Sequence, residues 1–492
     1  MILQNCAAPD EVCGSQEIYY RSPSGIRTDR EGVILEAGQE LASDTYMNTL
    51  DLGAWKKYTT VDKIYFLCEL EGRGVITLIH QEGNEKKRIK EVSYGRDPES
   101  EAIQIELPEG LGGRIYFELK AETKTVLKRA GYVSDSQPDN RISLSLVICT
   151  YRRREHVEKN LEKLRRSSFF QTMTQKNSFV VRVVDNAKEL SGTYGEHVKI
   201  YANENTGGSG GFSRGMEESV KEKDPYQTTH VILMDDDVEL QTESLSRLYA
   251  LLSYMKPEYR TEPVAGRMFR LDRREVQYTA AEIWNGGEIR HIGFNLDMTQ
   301  PENLVSMNDN GGAEYGGWWF ACYPMGFVEK NKPLPFFLHC DDVEYGLRHG
   351  GTPIVLNGIQ VWHETYEYRQ LPVIAYYDTR NALIVNALYC DDWEKSRVLK
   401  FWKDELDRSH DCETMEFICA RLLGILHYCS NAKNFMEKSP MNMKLCVKRI
   451  KKCNNAKIII VAGKIIFKIW NKKFYSIVRQ YRRSYKKFLY SK

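Results

Sequence analysis

No Cys-x-x-Cys pair occurs among the 12 cysteines of this 492-residue sequence. That absence excludes the usual zinc-ribbon and thioredoxin-like spacings, and the scattered thiols read as reduced side chains of a cytosolic protein. Nor is there a run of about 18 apolar residues, the length that spans a bilayer. The most apolar stretch, Ile458–Phe467, is short and interrupted by Lys464. Met1–Asp10 has neither the basic flank nor the apolar core of a secretory signal, so none is expected. Net charge is scarce as well. The 69 Lys+Arg and 67 Asp+Glu leave +2, which argues against an overall basic nucleic-acid binder and an acidic disordered chain.

The small total hides an asymmetry. Lys438–Lys492 holds 17 basic and no acidic residues, so the preceding residues hold 52 basic and 67 acidic, a net of −15. In the tail Ile466, Trp470, Phe474, Ile477, Tyr481, Tyr485 and Phe488 recur at steps of three or four. Lys464, Lys468, Lys472, Arg479, Arg483 and Lys486 lie between them. This is the pattern of a basic amphipathic helix suited to an anionic membrane surface, placing the chain peripherally at the inner face of the cell membrane. The competing expectation is a helix packed on the acidic body.

With 42% hydrophobic residues the chain reads as globular, and its length allows about three domains. Residues 1–138 look all-β, with short β-branched and aromatic segments at Val33–Leu35, Lys63–Leu70, Val75–His80, Ala102–Leu107, Arg114–Lys120 and Val126–Tyr132. Their spacing predicts a sandwich or barrel that binds or assembles. A polar segment containing Pro138 follows. From 139 to about 385, strands at Ile142–Thr150, Phe179–Asp185, Val198–Ala202 and His230–Met234 alternate with helical sequence, including Gly211–Lys221. This predicts a Rossmann-like, mostly parallel sheet, in which ligands sit beyond the carboxyl ends of strands. Residues 386–492 read as helical, most clearly at Met415–Tyr428.

The polar residues after those strands carry the chemistry. Asp235-Asp236-Asp237 follows a wholly apolar strand. Three adjacent carboxylates repel one another, and a hard divalent cation offsets that. Alternate residues of an extended segment point the same way, so Asp235 and Asp237 are the candidate metal pair and Asp236 faces elsewhere. Asn203–Gly215 (NENTGGSGGFSRG) is glycine-rich between a strand and a helix, where backbone approaches ligands closely. It lacks a P-loop ending, and Ser213 stands at the third glycine of a dinucleotide fingerprint. Trp318-Trp319 sits beside glycines and reads equally as core or as a sugar-stacking platform. Asp341-Asp342 falls where an apolar strand passes into a short helix, well placed to deprotonate a hydroxyl or simply to cap the helix. His363, ending another apolar segment, is the candidate third metal ligand.

In this order the motifs resemble the metal-dependent, inverting GT-A nucleotide-sugar glycosyltransferases, and most closely the bacterial galactofuranosyltransferases. The resemblance rests on Asn205–Gly215, Met234–Val238, Trp318-Trp319, Asp341–Arg348 and Trp362-His363. It extends to Tyr46–Asn48, Trp55–Thr59 and Tyr376–Asn381. It implies an N-terminal, jelly-roll-like β-sandwich, a GT-A catalytic domain and a helical C-terminus. It implies Mn²⁺ or Mg²⁺ on Asp235, Asp237 and His363, and nucleotide contacts from Thr150, Arg152, Asp185, Asn205, Asp235 and Asp236. Asp342 would be the general base, and Trp318, Trp319, Asp341 and Glu344 would bind the acceptor. The implied reaction moves galactofuranose from UDP-galactofuranose to a hydroxyl of a cell-surface glycan precursor, often lipid-linked. Another nucleotide sugar, such as dTDP-rhamnose, on the same framework is the nearest alternative. A non-catalytic glycan-binding protein is the other. No nucleic-acid partner is expected, and a homo-oligomer stays open.

Overall fold

The computed structural model describes residues 1–95, 102–366, 371–390, 395–412, 415–431 and 456–490. Of the basic tail, residues 438–455 and 491–492 lie outside the described residues.

Up to Val133 the chain forms two antiparallel sheets. One orders Arg27–Thr28, Val33–Leu35, Thr125–Val133, Tyr65–Glu71 and Ala102–Glu106, with Ile2–Asn5 added on Thr125–Val133. The other orders Glu40–Ala42, Arg114–Ala121, Gly74–Glu82 and Glu85–Tyr94. Alternation produces the buried faces. Phe66, Cys68 and Leu70 point inward from Tyr65–Glu71, while their neighbours are half-buried or exposed. Glu85–Tyr94 is a charged edge strand with little apolar signal, and its lysines discourage edge pairing. A short helix, Leu52–Tyr58, is N-capped by Asp51, whose side chain accepts from Ala54 N at 2.9 Å.

The central sheet runs Val198–Ala202, Phe179–Asp185, Leu144–Thr150, His230–Asp235, Ala321–Pro324 and Val264–Ala265. The first four are parallel, and the last two pair antiparallel at the far edge. All seven residues of Phe179–Asp185 are buried, as expected for an inner strand covered on both faces. A second sheet orders Glu239–Leu240, Gln360–His363, Arg267–Arg270, Val276–Thr279 and Leu296–Asp297. The Gly207–Lys221 helix begins four residues earlier than the sequence predicts. Two of its glycines serve packing: a Cβ at Gly211 would lie 2.1 Å from Cys149 Sγ, and one at Gly215 2.1 Å from a Val147 methyl. The helix can therefore press against the Leu144–Thr150 strand.

The first 133 residues are joined to this region through a buried polar seam. Arg247 donates to the carbonyls of Asn5, Met47 and Asn357, and Asn357 Nδ2 donates to those of Tyr46 and Thr49. Tyr46 Oη donates to Gln360 Oε1 at 3.2 Å. The seam therefore supports the segment that leads into His363.

The C-terminal region contains helices Pro372–Tyr389, Lys395–Cys412, Met415–Asn431 and Ala456–Tyr490. Here the structure corrects the tail expectation in part. Ile466, Trp470, Phe474, Ile477 and Tyr481 are buried in a core with Tyr376, Leu422, Ile425 and Tyr428. The apolar stripe faces the protein because its large side chains find helical partners there. Among the described residues, no helix is long and apolar enough to cross a membrane.

Candidate functional site

The triple-aspartate turn follows the His230–Asp235 strand, and pairing of the next short strand determines what it meets. Glu239 and Leu240 pair antiparallel with Trp362 and Val361, bringing His363 back beside Asp237. His363 Nε2 lies 3.2 Å from Asp237 Oδ1 and 3.7 Å from Asp235 Oδ2. Ligand atoms of Asp235, Asp237 and His363 all lie within 4.8 Å of one another. His363 and Asp237 are buried, whereas the Asp235 side chain is 37% exposed, so the cluster opens on one side. Two carboxylates and one imidazole suit Mn²⁺ or Mg²⁺ with open positions for a diphosphate. Asp236 is buried and ion-paired to Arg153. Its carboxylate is raised above the usual range by burial and by Asp237, against the opposing pull of Arg153 and Thr150.

Arg153 is a residue that sequence reasoning did not single out. Its Nη1 lies 3.0 Å from Asp236 Oδ1 and 2.6 Å from Asp237 Oδ2. Arg152, the expected nucleotide contact, instead has φ +59° and lies over the neighbouring Tyr151 ring. In a run of three arginines, composition does not distinguish which one the turn aims inward.

Asp341 and Asp342 open the Asp341–His349 helix. What precedes them is not the expected apolar strand but an irregular loop, with positive φ at Phe337, His339 and Cys340. Such backbone persists only when its surroundings hold it. Arg380 and Asn381 do so: Arg380 Nη2 donates to the carbonyl of Phe336, and Asn381 Nδ2 to those of Leu338 and His339. His339 Nδ1 meets Asp378 Oδ1 at 2.6 Å. Burial alone would lower the His339 pKa, but Asp378, Asp341 and Asp342 bring it up to about 9. The Tyr376–Asn381 motif thus supports the loop that presents the carboxylates.

Both carboxylates are half-buried. Burial, with Asp235 nearby, lifts Asp341 to about 6 despite His339. Burial, Asp341 and Glu282 raise Asp342 well above the usual range. Glu282 was not anticipated; it is buried and paired to His291 Nδ1 at 2.8 Å. A lone acid between small and aromatic residues, Ala280–Trp284, is the only trace it leaves in the sequence. Gly208 stands against Asp341, with its Cβ position 3.9 Å from Asp341 Oδ2. The start of the Gly207–Lys221 helix therefore borders the same site.

The remaining expected residues make contacts within the fold. Asp185 is buried and accepts from the backbone amides of Ala187, Lys188 and Leu190 at 2.9, 2.9 and 2.7 Å. It shapes the loop after its strand. Thr150, buried at the end of the adjacent strand, faces Asp236. Asn205 is exposed at the start of the glycine helix, where its Oδ1 accepts from Gly207 N at 3.1 Å. Trp318 and Trp319 are both buried. Trp318 packs edge-on against Phe212 and Tyr345, and Trp319 Nε1 donates to the carbonyl of Gly266. Glu344, expected at the acceptor, is fully buried behind the helix and bound by Arg348, Tyr389 and Tyr485. It anchors the helix instead of facing the cleft, because the first-turn position i+2 from Asp342 lies on the opposite side.

Residues 14–135 match the family model for the N-terminal region of galactofuranosyltransferase 2. A galactofuranosyltransferase of Mycobacterium tuberculosis is 24% identical over 396 residues, which cover 74% of this chain and 60% of the relative. One from Mycolicibacterium smegmatis is 26% identical over 391 residues, covering 73% of this chain and 59% of the relative. The chain therefore spans about 60% of the length of these curated relatives. A mannosyltransferase of Pyrobaculum calidifontis, solved with GDP-mannose and Mn²⁺, aligns over 73% of this chain and 90% of its own. Its identity is 11% and its TM-score 0.32, too distant to bear on fold or chemistry. By sequence, the chain is similar to galactofuranosyltransferases over about three quarters of its length.

Proposed function

We propose that this protein transfers galactofuranose from UDP-galactofuranose to a hydroxyl of a glycan acceptor, with inversion at the anomeric carbon. One observation carries the proposal: residues from four separate segments, Asp235/Asp237, Asp341/Asp342, His363 and the start of the glycine helix, converge on one site. The division we propose is a β-sandwich over 1–138, a GT-A catalytic domain over 139–385 and a helical region over 386–492.

Asp235, Asp237 and His363 would hold Mn²⁺ or Mg²⁺, which when bound offsets charge on the departing diphosphate. Arg153 adds a fixed cation beside that position. Asp342 accepts the proton of the acceptor hydroxyl as its oxygen forms the new bond to the anomeric carbon. The bond from that carbon to UDP breaks in the same displacement, and UDP leaves with the electron pair. Asp341 and Glu282 raise the basicity of Asp342, matching it to an alcohol proton. Thr150, Asp185 and Asn205 would shape the nucleotide pocket, and Trp318 and Trp319 its acceptor side. We further propose that the acceptor is lipid-linked and that the basic C-terminal region brings the enzyme to an anionic membrane.

A screen of nucleotide sugars with Mn²⁺, reading nucleotide release, tests the assignment. UDP-galactofuranose should be the preferred donor. Release of no nucleotide from any donor, with glycan acceptors present, would overturn it.

A further inference from the structure

Arg182, Arg247 and Arg267 are each at most 1% exposed. The first two meet a carboxylate, Glu222 at 2.8 Å and Glu243 at 2.9 Å. Among the described residues, Arg267 meets none within ion-pair distance. Two amide oxygens hold it instead: Nη1 donates to Gln277 Oε1 at 2.5 Å and Nη2 to Asn308 Oδ1 at 3.4 Å. Its Nε has no partner. Asp51 compensates only at one remove, by accepting from Asn308 Nδ2 at 3.0 Å. Arginine keeps its charge in a protein, and a buried charge without a counter-charge beside it is costly. Arg267 and Gln277, the latter also 1% exposed, line a cavity of about 220 Å³. That is below the range of about 300–1,000 Å³ usual for drug-sized ligands, so its occupant is small. Ile292, Leu296, Met298 and Met307 give it apolar walls. Asn303, Ser306 and Asp309 complete the lining, the last two exposed to solvent.

We propose that this cavity binds a small polyhydroxylated anion, a sugar acid or sugar phosphate, whose oxyanion meets Arg267 and whose hydroxyls donate to Asp309 and to the side-chain carbonyl of Asn303. The oxyanion supplies the counter-charge that the fold withholds, and the guanidinium offers it charge-assisted hydrogen bonds. Asp309 opposes an anion little, because it is exposed and screened by water. A neutral sugar would leave Arg267 uncompensated. A bare inorganic anion would leave Asn303, Ser306 and Asp309 unused, and a metal cation would be repelled by the guanidinium. The site is separate from the carboxylate cluster. Arg267 begins the Arg267–Arg270 strand, whose last residue pairs in register with His363. Three steps of about 3.3 Å put Arg267 about 10 Å along the strand from that histidine. The proposal does not rest on the transferase reading.

The test is calorimetric titration of the full chain with glucuronate, glucose 6-phosphate, glucose and inorganic phosphate. Glucuronate or glucose 6-phosphate should bind, equally well with and without saturating UDP and Mn²⁺. Glucose and inorganic phosphate should bind more weakly by about tenfold or more. Arg267→Met should weaken the sugar anion by about tenfold or more. Ser306→Trp, a change at an exposed position, should do the same by filling the cavity while Arg267 stays in place. Thermal unfolding midpoints will show which variants fold, and Ser306→Trp decides if Arg267→Met does not. The proposal is overturned if neither sugar anion binds, if glucose or phosphate binds as tightly, if UDP competes, or if a folded variant binds like wild type. His363→Ala should bind the sugar anion like wild type while losing Mn²⁺-dependent UDP binding, which separates failure of this site from failure of the transferase assignment.

Discussion

At the residue scale, the two carboxylates at the helix start should govern the pH dependence of the proposed transfer. As the proposed base, Asp342 would act only when ionised, and its pKa is raised by burial, Asp341 and Glu282. The acidic limb of the rate profile should therefore lie above the ordinary carboxylate range, with activity rising as pH increases through it. Because the two acids titrate as a pair, the limb belongs to both. Asp341→Asn removes the like charge and should shift the limb to lower pH. His339→Gln removes a cation that favours both ionised forms and should shift it to higher pH. Initial rates across pH will show whether these shifts oppose each other; movement in the same direction would contradict the electrostatic reading. At the candidate metal cluster, His363→Ala and Asp237→Ala should weaken Mn²⁺-dependent UDP binding by about tenfold or more, read by calorimetry. Much of this cluster is legible in sequence, because three aspartates after an apolar strand have few inexpensive structural roles. The choice of Arg153 over Arg152 is not, since it depends on one residue adopting φ +59°.

Elements explain why several readable motifs have a different role in the fold. The glycines of Asn203–Gly215 resemble a ligand-cradling loop, yet Gly211 and Gly215 are where a helix closes on a strand. Gly211→Ala or Gly215→Ala should therefore destabilise the protein by about 1–3 kcal/mol in chemical denaturation, through overpacking. Glu344 likewise reads as a site residue by its neighbours but anchors the helix. Glu344→Ala leaves the buried Arg348 guanidinium without its carboxylate and should cost about 3–5 kcal/mol. The loop before Asp341 is illegible for a related reason. Phe336–Leu338 is apolar enough to suggest a strand, and only the long-range donors Arg380 and Asn381 reveal that it is held irregular.

On the scale of the whole molecule, the first 133 residues and the central sheets share one apolar core and a buried hydrogen-bonded seam through Arg247 and Asn357. Alternation reveals strands such as Tyr65–Glu71, whereas nothing local reveals that Tyr46 meets Gln360, 314 positions away. The seam supports the strand ending in His363. Arg247→Met should lower stability by several kcal/mol, on the order of the loss of a buried hydrogen-bonded charge. It should also weaken Mn²⁺-dependent UDP binding without touching a ligand; stability lost with binding intact would confine the seam to folding.

The central claim is that Asp342 removes the acceptor proton beside the Asp235/Asp237/His363 cluster. Turnover of UDP-galactofuranose with Mn²⁺ and a glycan acceptor, measured for wild type and Asp342→Asn alongside UDP affinity, tests it directly. The expected result is a fall in kcat of about 10²–10⁴-fold with UDP affinity unchanged. Transfer persisting near the wild-type rate in a folded, UDP-binding Asp342→Asn protein would contradict the assignment.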